Sequence, residues 1–349
     1  MSRILEKANP YGYRSEKDFL AEMNALTRFH LEGCPEYARI WPNFQRADNV
    51  ADLPYIHVEL FKHISFKTHA EGINHERTLK SSATSSGVSS QITLDKTSSA
   101  MQSSSTLLIL KDFVGDAIRP LLILDNSRSL LMRGEISARI AAAMSLKPLA
   151  SEMYFLLKDA NDSSSMKWDM LAEQLRRHDD ILVYGFTWIL WQAWGMAEIP
   201  SEVLGLLSGK RIHFVHSGGW KKLEDIQVDR NTFDNKLLEN LHPGSKVIDF
   251  YGLVEQVGII YPLCEEGYRH APAWADVLVR DPWTLETLIG EPGQLQLMNT
   301  LAHGAPYHNV YTEDLGRIIP GQCPCGRSGK RFEILGRVPK AEIRGCSNA

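Results

Sequence analysis

The sequence predicts a layered α/β domain followed by a β-rich part. In residues 1–256, short apolar runs alternate with helix-like segments such as "MKWDMLAEQLRRH". This alternation is typical of a sheet covered by helices. In residues 257–349, short strand-like pieces such as "ADVLVRD" and "GQLQLMN" are separated by Gly and Pro turns. The chain has 349 residues, 44% of them hydrophobic, which is enough apolar material for one large domain or two smaller ones.

The first predicted element is an amphipathic helix from Ser15 to about Glu32. Ser15 and Asp18 fit a helix-capping pattern, and apolar side chains then recur at helical spacing. Gly33 and Pro35 end the helix.

Five short apolar runs in the first part are interpreted as strands because they have strand length and lie between turn signals or helix-like segments. They are "TLLIL" (106–110), "PLLIL" (120–124), "ILVYG" (181–185), "IHFVH" (212–216) and "VIDFYG" (247–252).

The longest uncharged stretch, "ILVYGFTWILWQAWGMA" at 181–197, is near the lower limit for a membrane span. Gly and polar residues interrupt it, which favours a buried strand that leads into an aromatic-rich helix. We therefore expect no membrane span. The aromatic residues Phe186, Trp188 and Trp191 either line a pocket or fill the core, and the sequence does not choose between these roles.

Charge and cysteine content restrict the classes of function. The net charge is −4, from 38 basic and 42 acidic residues, and no long basic run indicates a nucleic-acid partner. The N-terminal residues lack a continuous apolar segment before a cleavage site, so we expect a cytoplasmic protein. Five unevenly spaced cysteines indicate metal binding or thiol chemistry rather than a disulfide framework. We interpret Cys34 as an ordinary buried thiol.

The low-complexity stretch "KSSATSSGVSSQITLD" has two interpretations. Ser and Gly fix little backbone geometry, so it can be a flexible linker. A hydroxyl-rich loop that runs into a strand can also hold phosphate oxygens with its hydroxyl and N–H groups.

A metal site is suggested by Cys264, His270, Cys323 and Cys325. Three thiolates and one imidazole suit a closed tetrahedral zinc site that leaves no open position for catalysis. The spacing is not that of a common zinc finger, and separate buried thiols are the alternative.

Several segments together resemble a known family. "HSGGWKK", "DFYGLVEQVG", "VYTEDLGRI", "CPCGRSGKRFEILGR" and the Ser-rich loop occur in the order and approximate spacing of the signature segments of acyl-adenylate-forming enzymes. The chain most closely resembles the acyl-protein synthetases of bacterial luminescence fatty-acid reductase complexes, which are related to the phenylacetate-coenzyme A ligases. The resemblance covers about residues 10–349 and is strongest from residue 216 onward. It implies the large N-terminal domain of the adenylate-forming fold with a β-rich subdomain.

The resemblance also implies a nucleotide site. In the loop, Ser81, Ser82, Thr84 and Ser85 match the family pattern, Ala83 and Ser86 replace glycines, and Gln91 lies near the place of a lysine. The remaining roles are implied as follows: Ser217, Gly218 and Gly219 lie along adenine, Tyr251 before Gly252 stacks on the base, Glu255 helps to hold Mg²⁺, Asp314 binds the ribose hydroxyls, and Arg337 is its basic neighbour. Related ligases carry a similar C…H…CxC set, which implies structural Zn²⁺.

A cysteine near the end of the sequence has an implied role in acyl transfer. Arg344, Gly345, Cys346 and Ser347 match an "RGCS"-like closing segment whose cysteine accepts the acyl group in acyl-protein synthetases. A nearby Arg344 would favour the reactive thiolate. Most adenylating enzymes continue into a small mobile C-terminal domain, and we expect this chain to lack one.

These features lead to one leading hypothesis and two alternatives. The leading hypothesis is that ATP and Mg²⁺ activate a carboxylic acid, which we expect to be a fatty acid, as an acyl-adenylate. Cys346 then passes the acyl group to a partner such as a reductase. Lys221 or Lys222 would substitute for the missing loop lysine. The alternatives are a ligase that delivers the acyl group to coenzyme A or a carrier protein without using Cys346, and a non-catalytic scaffold whose changed loop no longer binds ATP.

Overall fold

The computed structural model describes residues 4–7, 9–81, 89–130, 138–160, 162–220 and 225–338. Its α-helices are α1 (Glu16–Gly33), α2 (Pro35–Ile40), α3 (Leu60–His63), α4 (Lys96–Val114), α5 (Ala138–Ser145), α6 (Trp168–Arg177), α7 (Thr187–Leu190), α8 (Ser201–Leu207) and α9 (Arg230–Leu238). Its strands are β1 (Ile56–His57), β2 (His75–Lys80), β3 (Gln91–Asp95), β4 (Arg119–Ile123), β5 (Ala150–Phe155), β6 (Asp180–Phe186), β7 (Arg211–Ser217), β8 (Lys246–Tyr251), β9 (Tyr261–Pro262), β10 (Arg269–His270), β11 (Ala275–Arg280), β12 (Thr287–Leu288), β13 (Gly293–Asn299), β14 (Asn309–Ile319) and β15 (Arg331–Arg337).

A six-stranded sheet has the order β5-β4-β6-β7-β8-β9. Its strands run parallel except for β9, which pairs antiparallel with β8. Strands buried on both faces have nearly continuous apolar sequences. This explains why four of the predicted runs, in β4, β6, β7 and β8, are confirmed as strands.

A second sheet contains seven strands, in the order β10-β15-β14-β13-β11-β12 with β1 beside β14. After residue 257, the elements within the described residues are strands, which confirms the predicted β-rich character. Strands cross the predicted boundary in both directions, because β1 joins this sheet and β9 joins the six-stranded one. The boundary at residue 257 therefore stays a prediction.

The first helix is confirmed. The Ser15 side chain accepts a hydrogen bond from the Asp18 N–H at 3.2 Å and caps α1. Phe19 and Met23 are fully buried and pack in one cluster with Leu278 of β11. The helix thus covers one face of the seven-stranded sheet.

The prediction of a strand at "TLLIL" is wrong, because residues 106–110 lie inside α4. Asp95 caps this helix by accepting hydrogen bonds from the N–H groups of Thr97 and Ser98. Its buried face includes Ser98, Gln102 and Ser105, whose polar side chains do not appear in an apolar pattern. The Ser105 hydroxyl donates to the Gly258 carbonyl at 2.6 Å, so the helix packs closely there.

Two cores cover the two faces of the six-stranded sheet. One lies between this sheet and the seven-stranded sheet and includes apolar residues of α4. The other lies under α6, α8 and α9. The carboxyl ends of β6, β7 and β8 form one edge of the sheet, because these strands are parallel neighbours.

The stretch 181–197 is a strand followed by a helix, as predicted. It forms β6, α7 and a π-helical turn, Trp191–Gly195. Trp191 and Trp194 are buried in the core under α9. Within the described part of the chain, no helix has the length and apolar character needed to cross a membrane.

Candidate nucleotide site and metal cluster

The predicted nucleotide residues Ser217, Tyr251 and Gly252 lie at the carboxyl edge of the six-stranded sheet. Ser217 ends β7 and Tyr251 ends β8, with Gly252 directly after it. In open parallel sheets, ligands bind outside the carboxyl ends of the strands. The position of these residues therefore matches a ligand site.

Gly218 and Gly219 follow β7 in conformations that favour glycine. Their φ angles are +92° and +61°. A Cβ atom on Gly218 would lie 3.3 Å from the ring of Phe186, whereas one on Gly219 would meet open space. The backbone is thus uncovered at Gly219, where a flat ring can approach closely, whereas Gly218 packs against Phe186.

Tyr251, Asp314 and Arg337 form one contact between the two sheets. The Tyr251 hydroxyl donates to Asp314 Oδ2 at 2.7 Å, and Arg337 Nε donates to Asp314 Oδ1 at 2.9 Å. Burial, together with the negative charge of Asp314, raises the pKa of Tyr251 well above its usual value. Tyr251 therefore remains a neutral hydrogen-bond donor, and its hydroxyl and Arg337 together fix Asp314 as an acceptor.

Glu255 is a buried acidic side chain, and the positive charge of Arg337 acts to lower its pKa although no salt bridge joins the two. It lies in a 3₁₀ turn just after β8, and its exposed fraction is 5%. Burial raises the pKa of Glu255, and a hydrogen bond with Ser90 acts in the opposite direction. No Lys or Arg side chain within the described residues forms an ion pair with it. A buried carboxylate of this kind is stabilised by a bound cation, and carboxylate oxygen suits Mg²⁺.

The Ser-rich loop joins β2 to β3, which pair as an antiparallel hairpin. At the loop end of the hairpin, the Ser81 N–H donates to the Ser90 carbonyl, and the Ser90 N–H donates to Ser81 Oγ, both at 3.0 Å. Gln91 begins β3 opposite Lys80. Because Ser90 also bonds Glu255, the base of the loop is next to the candidate cation site.

Several predicted residues lie outside the described residues. They are Ser82, Ala83, Thr84, Ser85 and Ser86 in the loop, Lys221 and Lys222 after β7, and Arg344, Gly345, Cys346 and Ser347 in the C-terminal segment.

The four predicted metal ligands form one cluster. The ligand atoms of Cys264, His270, Cys323 and Cys325 all lie within 4.8 Å of one another. The Sγ atoms of Cys264 and Cys323 are 3.9 Å apart, and His270 Nε2 is 3.4 Å from Cys325 Sγ. In a tetrahedral zinc site the corresponding S–S and S–N distances are about 3.8 Å and about 3.6 Å, from the usual metal–ligand bond lengths. The donor set and its spacing therefore fit zinc.

Two turns and a short strand pair hold this cluster. One turn is closed by the Gly267 N–H, which donates to the Cys264 carbonyl at 2.9 Å. The other is closed by the Gly326 N–H, which donates to the Cys323 carbonyl at 3.1 Å. His270 comes from β10, which pairs with β15. A metal here would fasten these segments together, and Cys34 lies apart, fully buried in another core as expected.

Two residues of the site were not predicted from the sequence. Thr187 Oγ1 lies 3.0 Å from His216 Nδ1 and donates to the Ser217 carbonyl at 3.2 Å. Burial lowers the pKa of His216 to about 4, so its ring is neutral near pH 7. Thr187 and His216 both lie at or just after the carboxyl end of a predicted strand. Because ligands bind at that edge of a parallel sheet, this position could have indicated both residues from the sequence.

Comparison with known proteins places this geometry in a family. A profile of the family described as acyl-protein synthetase, LuxE, matches residues 6–349. The chain belongs to the LuxE acyl-protein synthetase family. The resemblance stated from the sequence motifs is thereby confirmed.

Two curated relatives are long-chain-fatty-acid–luciferin-component ligases. The one from Aliivibrio fischeri is 28% identical over 142 residues, which cover 40% of this chain and 37% of the relative. The one from Vibrio harveyi is 29% identical over 142 residues, which cover 40% of this chain and 36% of the relative. The match therefore spans little more than a third of the length of these relatives.

Solved structures confirm the adenylate-forming fold. An open conformation of 2-hydroxyisobutyryl-CoA ligase, in complex with its acyl-AMP and CoA, superposes with a TM-score of 0.67. The match has 15% identity and covers 95% of this chain and 76% of that ligase chain. The same ligase in its thioesterification state gives a TM-score of 0.66 at 15% identity, over 93% of this chain and 68% of the other.

Proposed function

We propose that this protein uses ATP to activate a carboxylic acid as an acyl-adenylate and then carries the acyl group on Cys346. The observation that carries the proposal is the contact of Tyr251 with Asp314 and Arg337 at the end of β8, next to β7 and its uncovered turn at Gly219, in a chain of the LuxE family. An aromatic ring, a fixed carboxylate and a bare turn suit adenine and ribose.

In the first half-reaction, a carboxylate oxygen of the acid attacks the α-phosphorus of ATP, and pyrophosphate leaves. The Ser-rich loop would bind phosphate oxygens through Ser82, Thr84 and Ser85. Glu255 would hold Mg²⁺, whose charge offsets that of the departing pyrophosphate. Lys221 or Lys222 is proposed as an additional cation near the phosphates. Asp314 would accept hydrogen bonds from the ribose hydroxyls.

In the second half-reaction, the Cys346 thiolate attacks the acyl carbonyl carbon, the mixed anhydride bond breaks, and AMP leaves. Val338 supports this proposal, because its N–H donates to the Glu313 carbonyl at 2.9 Å and so fixes the chain beside Asp314. Eight residue steps separate Val338 from Cys346. A chain of this length spans at most about 27 Å, which is enough for a thiol to approach a neighbouring site.

The proposed acid is a fatty acid, because the two curated relatives are named long-chain-fatty-acid ligases. The proposed acceptor is a protein, such as an acyl reductase, that takes the acyl group from the thioester. We also propose that the reaction takes place in the cytoplasm.

We also propose that the metal cluster holds a structural zinc ion. All four ligand positions would be filled by Cys264, His270, Cys323 and Cys325, which leaves none for a substrate. The ion would stabilise the turns that precede β10 and β15.

Acid-dependent exchange of labelled pyrophosphate into ATP tests the first half-reaction. Wild type should catalyse exchange with a fatty acid, and Asp314→Asn should reduce it by about tenfold to a hundredfold, since one or two hydrogen bonds to a charged group are lost. Glu333→Gln is the matched control. Like Asp314, Glu333 lies on a strand of the seven-stranded sheet and pairs with an arginine, in this case Arg317 at 2.9 Å.

Absence of pyrophosphate exchange in wild type would refute the proposed adenylation. An equal reduction of exchange by Asp314→Asn and Glu333→Gln would refute the proposed role of Asp314. Cys346→Ser separates the alternatives, because it should retain exchange but lose the protein-bound acyl group. A ligase that does not use Cys346 would keep forming its final product. A scaffold would not bind ATP in calorimetry while retaining its zinc.

A further inference from the structure

The metal cluster lies where the two sheets meet. Cys264 follows β9 of the six-stranded sheet by two residues, whereas His270 belongs to β10 of the seven-stranded sheet. Cys323 and Cys325 lie between β14 and β15, which are also strands of the seven-stranded sheet. The four ligands are thus attached to both sheets, and a metal bound by all of them would tie the sheets together at this point.

Strand β9 connects the cluster to the Tyr251 side of the candidate nucleotide site. Tyr261 of β9 pairs with Tyr251 of β8, and their ring centroids are 6.0 Å apart. The Leu263 N–H donates to the Asp249 carbonyl at 2.8 Å, and the next residue is Cys264. The first metal ligand is therefore fixed directly beside the strand that ends in Tyr251.

Strand β15 connects the cluster to the Asp314 side of the same site. His270 pairs with Arg331, the first residue of β15. Arg337, the last residue of β15, lies opposite Asp314 and donates to its carboxylate at 2.9 Å. The strand thus runs from a metal ligand to the proposed ribose carboxylate.

Arg269 joins these two connections. It precedes His270 in β10, and its side chain is only 10% exposed. The guanidinium donates to the Asp249 carboxylate and carbonyl on β8 and to the Tyr261 carbonyl on β9, the last at 2.6 Å. Charge-assisted hydrogen bonds of this kind are strong. A displacement of His270 would therefore be transmitted to β8, two residues before Tyr251.

We propose that the metal cluster and ATP bind cooperatively, and that Arg269 is the positioning residue that couples them. A bound metal would fix β9 and β10 relative to each other, and would thereby fix Tyr251 relative to Asp314 in the arrangement that accepts adenine and ribose. The inference rests on the proposed function. It goes beyond a structural zinc ion because it requires the metal to change the ATP affinity of the folded protein.

The experiment measures both affinities in the wild-type protein. Calorimetry gives the Kd of ATP with Mg²⁺ for the zinc-loaded protein and for folded protein from which a chelator has removed the zinc. Competition with a chromogenic chelator gives the Kd of zinc with and without ATP. Removal of zinc should weaken ATP binding by about fivefold or more, and ATP should strengthen zinc binding by the same factor, because coupling between two sites is reciprocal.

Arg269→Met tests the coupling residue. The zinc-loaded variant should retain its zinc but bind ATP about as weakly as zinc-free wild type, and removal of its zinc should change the ATP affinity little. Arg269→Lys makes the same comparison if Arg269→Met does not fold. Lysine retains a charge beside Asp249, but its single nitrogen replaces a planar group that reaches both β8 and β9.

Arg327→Met is the matched control. Arg327 follows Cys325 by two residues, its side chain is 12% exposed, and it pairs with Asp112 and Glu265, both at 2.7 Å. Neither partner lies on β8 or β9. The variant should be less stable than wild type, but zinc should change its ATP affinity by the same factor as in wild type.

Equal ATP affinity with and without zinc in folded wild type would overturn the proposal. Equal loss of the zinc effect in the Arg269 and Arg327 variants would overturn the role of Arg269. If zinc-free wild type unfolds, the rate of zinc release from the loaded protein replaces the comparison, and a rate that ATP does not slow would overturn the coupling. These outcomes leave the proposed function intact, because wild type would still exchange pyrophosphate. Wild type that binds no ATP in either state would instead refute the proposed function.

Discussion

Replacing Tyr251 with Phe removes one hydroxyl group and retains the ring. The hydroxyl bonds Asp314 at 2.7 Å, and the Asp314 side chain is only 8% exposed. A hydrogen bond to a charged group contributes about 1.5–3 kcal/mol. Arg337 still pairs with the other Asp314 oxygen, so the low end applies. We expect the free energy of unfolding to fall by about 1.5 kcal/mol, which lowers the Tm of a chain of this size by about 2 °C.

The same variant distinguishes the contribution of the Tyr251 ring to ATP affinity from that of its hydroxyl group. Tyr251→Phe should weaken ATP affinity in calorimetry by only a few-fold, because the stacking surface remains. Tyr251→Ala should weaken it by a further factor on the order of tenfold, since stacking of a base on an aromatic ring contributes about 1–3 kcal/mol. Equal losses in both variants would show that the ring does not stack on the base. Unchanged affinity in both would place ATP elsewhere.

Three further predictions concern metal, packing and pH. Cys264→Ser should lower the zinc content measured by atomic spectroscopy and lower the Tm, and an unchanged Tm after zinc loss would contradict a structural role. Gly258→Ala should reduce the free energy of unfolding by more than about 2 kcal/mol, because φ is +86° and its Cβ would lie 2.5 Å from Gln102; wild-type stability in urea would contradict this. Burial lowers the pKa of His216 to about 4 in the folded protein, whereas its pKa in the unfolded chain is near 6.5. As the pH falls, the unfolded chain therefore binds a proton at His216 before the folded protein does. The free energy of unfolding should decrease as the pH falls below about 6.5. This contribution is about 2 kcal/mol between pH 7 and pH 5, and urea titrations with no change over this range would contradict it.

Strands β4, β6 and β7 could be predicted because burial on both faces makes their sequences nearly continuously apolar. Helix α4 could not be predicted in the same way. Its buried face contains Ser98, Gln102 and Ser105, and the Ser105 hydroxyl finds its acceptor at Gly258, more than a hundred residues away. A pattern based on hydropathy treats such positions as exposed.

The candidate nucleotide site shows a similar limit. The resemblance indicated Asp314 with Arg337 as its basic neighbour, and the two are paired across β14 and β15 of one sheet. The contact of Tyr251 with Asp314 instead depends on how the two sheets pack, and no local pattern contains that information. Thr187 and His216 are in contact because β6 and β7 are neighbours in the sheet. The sequence of neither strand indicates which strand lies beside it.

The metal ligands were easier to predict than the nucleotide residues, because groups of thiolate and imidazole ligands bind a small set of metal ions. The sequence did not show that the cluster forms. Cys264 and Cys323 are 59 positions apart and approach to 3.9 Å only because two turns are held between paired strands.

The most direct test of the account is the intact mass of the protein after incubation with ATP, Mg²⁺ and a fatty acid. We expect a gain equal to one acyl group, located on the Cys346 peptide, removed by hydroxylamine and absent in Cys346→Ser. A protein that exchanges pyrophosphate but never gains this mass, or gains it equally in Cys346→Ser, would contradict it.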